Sequence, residues 1–156
     1  MTFDELLDRF TAAVEARNGA ALAALFTEDG VYHDVFYGSF TGRTAIAGLI
    51  DDWFHRTAEG FRWDMKERVA GPDLGMARYV FSYATKLPEA AGERVMFEGV
   101  ALMTLREGLI AEYHEVANTG PAFAQLRFAP ERTVKIMQRF ADELRGRPES
   151  RRHVAP

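Results

Sequence analysis

The sequence predicts an α+β domain in which helices come first and a curved antiparallel sheet follows. Three observations carry this. Apolar residues recur at helical spacing through most of the first sixty positions, the period drops to two from Phe61 onward, and a helical pattern returns after Pro130. That order allows the N-terminal helices to pack on the concave face of a meander, with one further helix at the C-terminus.

Thr2 and Glu5 have the form of a capping box, and Phe3, Leu6, Leu7, Phe10, Ala13 and Val14 line one helical face, so the first helix starts at residue 3. Asn18-Gly19 interrupts it. Leu22, Leu25 and Phe26 give a second short apolar face, and Asp29-Gly30 turns the chain into a strand over Val31 to Phe36. After turns at Gly38 and Gly42, Ile46, Leu49, Ile50, Trp53 and Phe54 mark a third helix ending near Gly60. Phe61, Trp63 and Met65 then alternate with Arg62, Asp64 and Lys66, as in a strand with one wet face, and Gly71-Pro72-Asp73 closes it. Strands follow over Met76 to Lys86, Arg94 to Arg106 and Leu109 to Asn118, the last two joined by a tight Glu107-Gly108 turn. Phe123, Leu126 and Phe128 lie in a segment that either covers a pocket mouth or packs as a connector. Pro130 at a first helical position, then Val134, Met137, Phe140, Ala141 and Leu144, gives a C-terminal helix of about four turns. The reading is one domain over residues 1–145 and a disordered polar tail over residues 146–156.

Composition narrows the partners. At 156 residues with 47% apolar content the chain is long enough for one filled core and too short for two ordinary domains. Its 23 acids against 19 bases leave no basic face to neutralise phosphates, which argues against nucleic acid. The absence of cysteine removes disulfides, thiolate nucleophiles and cysteine-ligated metals, and makes a cytoplasmic setting the expectation. The acidic start carries no export signal, and apolar stretches such as Ala20 to Phe26 are far short of the ~20 residues that cross a bilayer. Four scattered histidines show no metal-ligand spacing, and no phosphate loop or dinucleotide glycine pattern occurs, so neither metal nor cofactor is expected.

Three segments in order, Leu25-Phe26-Thr27-Glu28-Asp29-Gly30-Val31-Tyr32-His33-Asp34, Phe40-Thr41-Gly42-Arg43-Thr44-Ala45-Ile46 and Gly108-Leu109-Ile110-Ala111-Glu112-Tyr113, resemble the nuclear-transport-factor-2-like superfamily and its SnoaL-like, polyketide-cyclase branch. The resemblance covers residues 1 to about 145. It implies a cone whose sheet curls around a pocket and which often pairs through its outer sheet face. The superfamily holds isomerases, dehydratases, epoxide hydrolases, cyclases and non-catalytic binding modules, so the fold does not fix the function.

Strand parity sorts the side chains. If Tyr32 and Asp34 point inward, as the matching positions do in the family's enzymes, His33 points outward. Phe61, Trp63, Met65, Tyr79, Phe81, Tyr83, Phe97, Tyr113 and Glu115 then share the inner face, either as pocket walls or as ordinary aromatic core. Trp63, Met65, Tyr79, Phe81, Phe97 and Tyr113, with Trp53 from the third helix, are the candidate ligand-binding residues. Asp34 and Glu115 are the inward carboxylates, and buried acids neutralise unless something holds their charge. Asp34 resembles the general base of ketosteroid isomerases, which implies proton removal beside a carbonyl, with Tyr32 or a protonated Glu115 donating to the enolate oxygen. The alternatives are a turn role for Asp34 and an ion pair of Glu115 with Arg43 or Arg78. Departures from the family's enzymes are visible too. No tyrosine lies between Phe10 and Arg17, where ketosteroid isomerases carry their oxyanion tyrosine, and Phe97 and Gly99 stand where epoxide hydrolases of this fold carry an arginine and an acid. The opposite face, with Val80, Val100, Leu102, Ile110 and Val116, is too apolar for a solvated sheet and predicts a homodimer. The expected function is cofactor-independent acid–base catalysis on a small apolar carbonyl compound, with a binding or interaction module as the alternative.

Overall fold

The computed structural model describes residues 1–155. Tertiary packing divides the chain into two units, Met1–Leu126 and Arg127–Pro156.

In the first unit, helix α1 (Phe3–Glu15) starts where the sequence places it. Thr2 Oγ1 accepts from the Glu5 N–H at 3.2 Å and Glu5 Oε2 accepts from the Thr2 N–H at 2.8 Å, completing both halves of the capping box. Helix α2 (Gly19–Ala23) follows, with the Asn18 side chain as its cap. Strand β1 (Phe26–Asp34) begins earlier than expected, because Asp29-Gly30 is a register shift inside the strand rather than a break before it. β1 folds back on β2 (Gly38–Thr41), a stretch the sequence presents only as turns. The third helix is assembled from α3 (Arg43–Gly48), a π-helical turn over Leu49–Trp53 and α4 (Phe54–Thr57). Arg43 anchors it by donating from Nε to the Phe26 carbonyl at 2.9 Å.

The meander is β3 (Ala58–Ala70), β4 (Leu74–Thr85), β5 (Arg94–Arg106) and β6 (Leu109–Asn118), paired antiparallel in sequence. Glu107 and Gly108 both adopt positive φ, 55° and 75°, the backbone that a two-residue hairpin needs to match strand twist. Among the described residues one six-stranded sheet forms in the order β2-β1-β6-β5-β4-β3. The parallel β1–β6 pairing, with Tyr32 beside Tyr113, is the non-local closure that no local pattern announces.

Inner-face parity follows the expected set. Tyr32, Tyr79 and Tyr113 are buried almost completely, and the Phe10 ring of α1 lies 5.3 Å from both Trp63 and Tyr113, so α1 rests on this face. Ile110 corrects the outer set. The β5–β6 register shifts between Thr104 and Leu105, and Ile110 is fully buried instead of facing outward. Helix α5 (Gly120–Gln125) is a packed connector with Phe123 buried. Gln125 clamps it to β5, accepting from the Met96 N–H and donating to the Met96 carbonyl.

In the second unit, α6 (Pro130–Gly146) buries none of its residues, and Val134, Met137 and Leu144 stay exposed. The stretch read as a polar tail contains a 3-10 turn over Pro148–Ser150 and a short helix α7 (Arg151–Val154). Among the described residues no helix is long and apolar enough to cross a membrane.

Candidate functional site

A chamber on the inner face of the sheet leaves about 60 Å³ for the centres of water-sized molecules. At about 10–15 Å³ for each water, that is room for a handful of waters or one small organic molecule. Its apolar walls are rings, chiefly Phe54, Phe61, Trp63, Phe81 and Phe97, and its polar points are Tyr32, Asp34, Tyr79 and Glu115. Of the side chains singled out in the sequence, Trp63, Tyr79, Phe81 and Phe97 line the chamber beside the three proposed polar residues. Met65 and Tyr113 are buried but form no part of its walls. Trp53 is also absent from them. It is 36% exposed, packs against Tyr37 and Phe40, and carries the Arg56 guanidinium 4.0 Å above its ring.

Phe36 and Tyr37 are walls that the sequence reading passed over. They directly follow Asp34, whose carboxylate shapes their backbone: Oδ1 accepts the N–H groups of Phe36 and Tyr37, both at 2.8 Å. This is an aspartate turn. The turn role and the place in the pocket therefore coexist in one residue. Burial pushes the Asp34 carboxyl up to about 6, against the opposing pull of the Tyr37 and Phe36 N–H groups.

Glu115 faces the same chamber from β6. Its Oε2 accepts a short hydrogen bond from the Tyr79 hydroxyl, with the Tyr113 hydroxyl at 3.5 Å. Arg43 and Arg78, its candidate ion-pair partners, are engaged elsewhere, Arg43 at the Phe26 carbonyl and Arg78 with Glu67 and Glu98. Burial first, and the negative charge of Asp34 second, push the Glu115 carboxyl up to about 8. The two acids face one another's charge and titrate as a coupled pair, with both carboxyls held above the ordinary range. Near neutrality the pair thus retains one proton between its two carboxyls, so the chamber offers a base and an acid together.

Two further donors wait in the walls. The Trp63 indole N–H is buried with no hydrogen-bond partner, and the Tyr32 hydroxyl makes no well-formed bond, only a weak attraction toward Tyr113. Unmet buried donors are costly and are met when a ligand brings an acceptor. Burial also raises the Tyr32, Tyr79 and Tyr113 phenols, so all three keep their protons. Among the described residues the one cluster of three metal-type donors, His33, Glu112 and His114, lies away from this chamber's walls.

Residues 7–113 match the SnoaL-like domain family. No functionally curated protein matches the chain. Among solved structures, it is similar to a hypothetical protein of ketosteroid isomerase-like fold from Catenulispora acidiphila, in complex with trimethylamine. The TM-score is 0.71 at 22% identity over 83% of this chain and 100% of that one. It is also similar to TsrD from Streptomyces laurentii, with a TM-score of 0.67 at 18% identity over 79% of this chain and 92% of that one. An LEH-like epoxide hydrolase of M. tuberculosis gives 0.63 at 16% identity, over 79% and 87% of the two chains. At these identities the likeness establishes the fold alone.

Proposed function

The chain belongs to the SnoaL-like domain family, and we propose that it is a cofactor-independent acid–base enzyme acting on a small, largely apolar carbonyl compound. The observation that carries this reading is the coupled pair of buried carboxyls, Asp34 and Glu115, that lines one aromatic chamber; in this reading Asp34 is the ionised member and Glu115 the protonated one. Backbone N–H groups hold Oδ1 of Asp34, which leaves its second oxygen to take a proton from the carbon beside the carbonyl. The electron pair moves onto the carbonyl oxygen, where Glu115 or Tyr32 donates to the enolate, and the proton returns to carbon in the product. Aromatic walls limit water and favour an apolar substrate skeleton. The trimethylamine complex of the Catenulispora relative supports a ligand of similarly small size.

Outward of the sheet, Val100 and Val116 pair across β5 and β6 and are 38% and 67% exposed, which supports a homodimer through this face.

Deuterium exchange tests the reaction. A panel of small cyclic ketones and enones incubated in heavy water with the protein should exchange the hydrogens beside the carbonyl, read by proton NMR. Asp34→Asn keeps an oxygen for the Phe36 and Tyr37 N–H groups, so ligand affinity stays while exchange falls about 10²- to 10⁴-fold. Equal exchange in the variant removes Asp34 as base, and binding without any exchange identifies a binding module instead.

A further inference from the structure

On the parallel pair β1 and β6, Tyr32 lies beside Tyr113 and both face inward, so the next residues, His33 and His114, emerge together on the other side of the sheet. Their imidazoles stack with centres 4.0 Å apart and planes 12° apart. Glu112, two residues before His114 and on the same face, places Oε1 2.9 Å from Nε2 of each ring. The three donor atoms lie within 4.8 Å of one another, and the side chains are 31%, 43% and 50% exposed for His33, Glu112 and His114. On β2, opposite His33, Ser39 Oγ sits 2.7 Å from His33 Nδ1.

We propose that His33, Glu112 and His114 form a surface site for a divalent transition metal, with zinc the ion that fits best. Two imidazole nitrogens and one carboxylate oxygen make the mixed donor set of three-ligand zinc sites, in which water or another ligand takes the fourth position. Calcium and magnesium prefer oxygen alone. Tetrahedral ligands at about 2.0–2.1 Å from zinc stand roughly 3.3 Å apart, so the two 2.9 Å separations must widen by roughly 0.4 Å and the stacked rings must turn out of parallel for both Nε2 lone pairs to converge on one ion. Side chains this exposed can make that adjustment without moving the strands.

The neighbours complete the chemistry. Glu112 can only accept, so in the metal-free neutral rings each Nε2–H is assigned as donor to its shared oxygen and the Ser39 hydroxyl as donor to His33 Nδ1. Metal takes both Nε2 lone pairs, His33 then carries its proton on Nδ1, and the Ser39 hydroxyl reverses to accept it. A metal-bound histidine held through its other nitrogen is the usual supporting arrangement. Ser39 is thus a positioning residue for the site.

Zinc sulfate titrated into the full chain against a chromophoric chelator tests the proposal. One zinc per chain is expected, with affinity lowered at least 10-fold in His33→Ala and in His114→Ala, about 10-fold in Ser39→Ala, and unchanged in the control His55→Ala. Zinc binding that survives the His33→Ala, His114→Ala double variant overturns the site, as does a wild-type chain that binds none. Should the variants fail to fold, cobalt(II) in the wild-type chain gives the second reading. Intense visible ligand-field bands support a four- or five-coordinate site, and the weak spectrum of the hydrated ion overturns it.

Discussion

Tyr79 reaches Glu115 across Gly99, its partner on the neighbouring strand β5 and the only residue of that strand without a side chain. A Cβ at Gly99 would stand 2.6 Å from the Tyr79 hydroxyl oxygen and 2.6 Å from the Val116 carbonyl, closer than real atoms tolerate. The missing side chain is what lets a phenol touch a buried acid.

Gly99→Ala should therefore displace the Tyr79 hydroxyl. Overpacking of this kind costs about 1–3 kcal/mol, measurable by urea denaturation. The lost hydrogen bond lowers the Glu115 pKa in the native chain, so its removal moves the titration upward from about 8, read by carbon-13 NMR of the Glu115 carboxyl. An unmoved titration would show that Tyr79 does not govern this acid.

The acid pair also sets how stability varies with pH. Both carboxyls are raised, Asp34 to about 6 and Glu115 to about 8, above unfolded values of about 3.9 and 4.3. The folded chain holds these protons more tightly than the unfolded chain, so their contribution is complete below about pH 4 and is lost as pH rises through the folded values. Wild-type stability should fall by several kcal/mol between about pH 4 and 8. Glu115→Gln should flatten the part between about pH 6 and 8. Urea midpoints measured across the range check this, and a wild-type profile already flat above pH 6 would contradict it.

Val100 and Val116 sit opposite each other on β5 and β6 at the centre of the proposed dimer face. Light scattering at micromolar concentration should give the mass of two chains for the wild type and of one chain for Val100→Glu combined with Val116→Glu, with unchanged circular dichroism. A single-chain mass for the wild type sinks the interface.

Local patterns in the sequence revealed much of this architecture. The capping box at Thr2 and Glu5, the alternation from Phe61 to Met65 and the Glu107-Gly108 turn each specify their element without distant help. Parity likewise separated Tyr32 and Asp34 from His33, and Glu115 from His114. What escaped depended on distant or irregular geometry. Ile110 turns inward through a register shift between Thr104 and Leu105 that alternation does not foresee. Trp53 ends a π-helical turn, where helical spacing no longer tells which way a side chain points. Phe36 and Tyr37 become walls because of a carboxylate turn, and His33 meets His114 only once strands about eighty residues apart in sequence lie in parallel.

The parallel register of β1 and β6 has a further consequence. Along β6, neighbouring positions carry different reagents, an imidazole at His114 and a carboxyl at Glu115, and only the register decides which one enters the chamber. An insertion in the Glu107-Gly108 hairpin that slid β6 by one position would bring the imidazole inside and send the carboxyl out. One codon of length in a surface turn separates two different proton-transfer reagents for the same cavity.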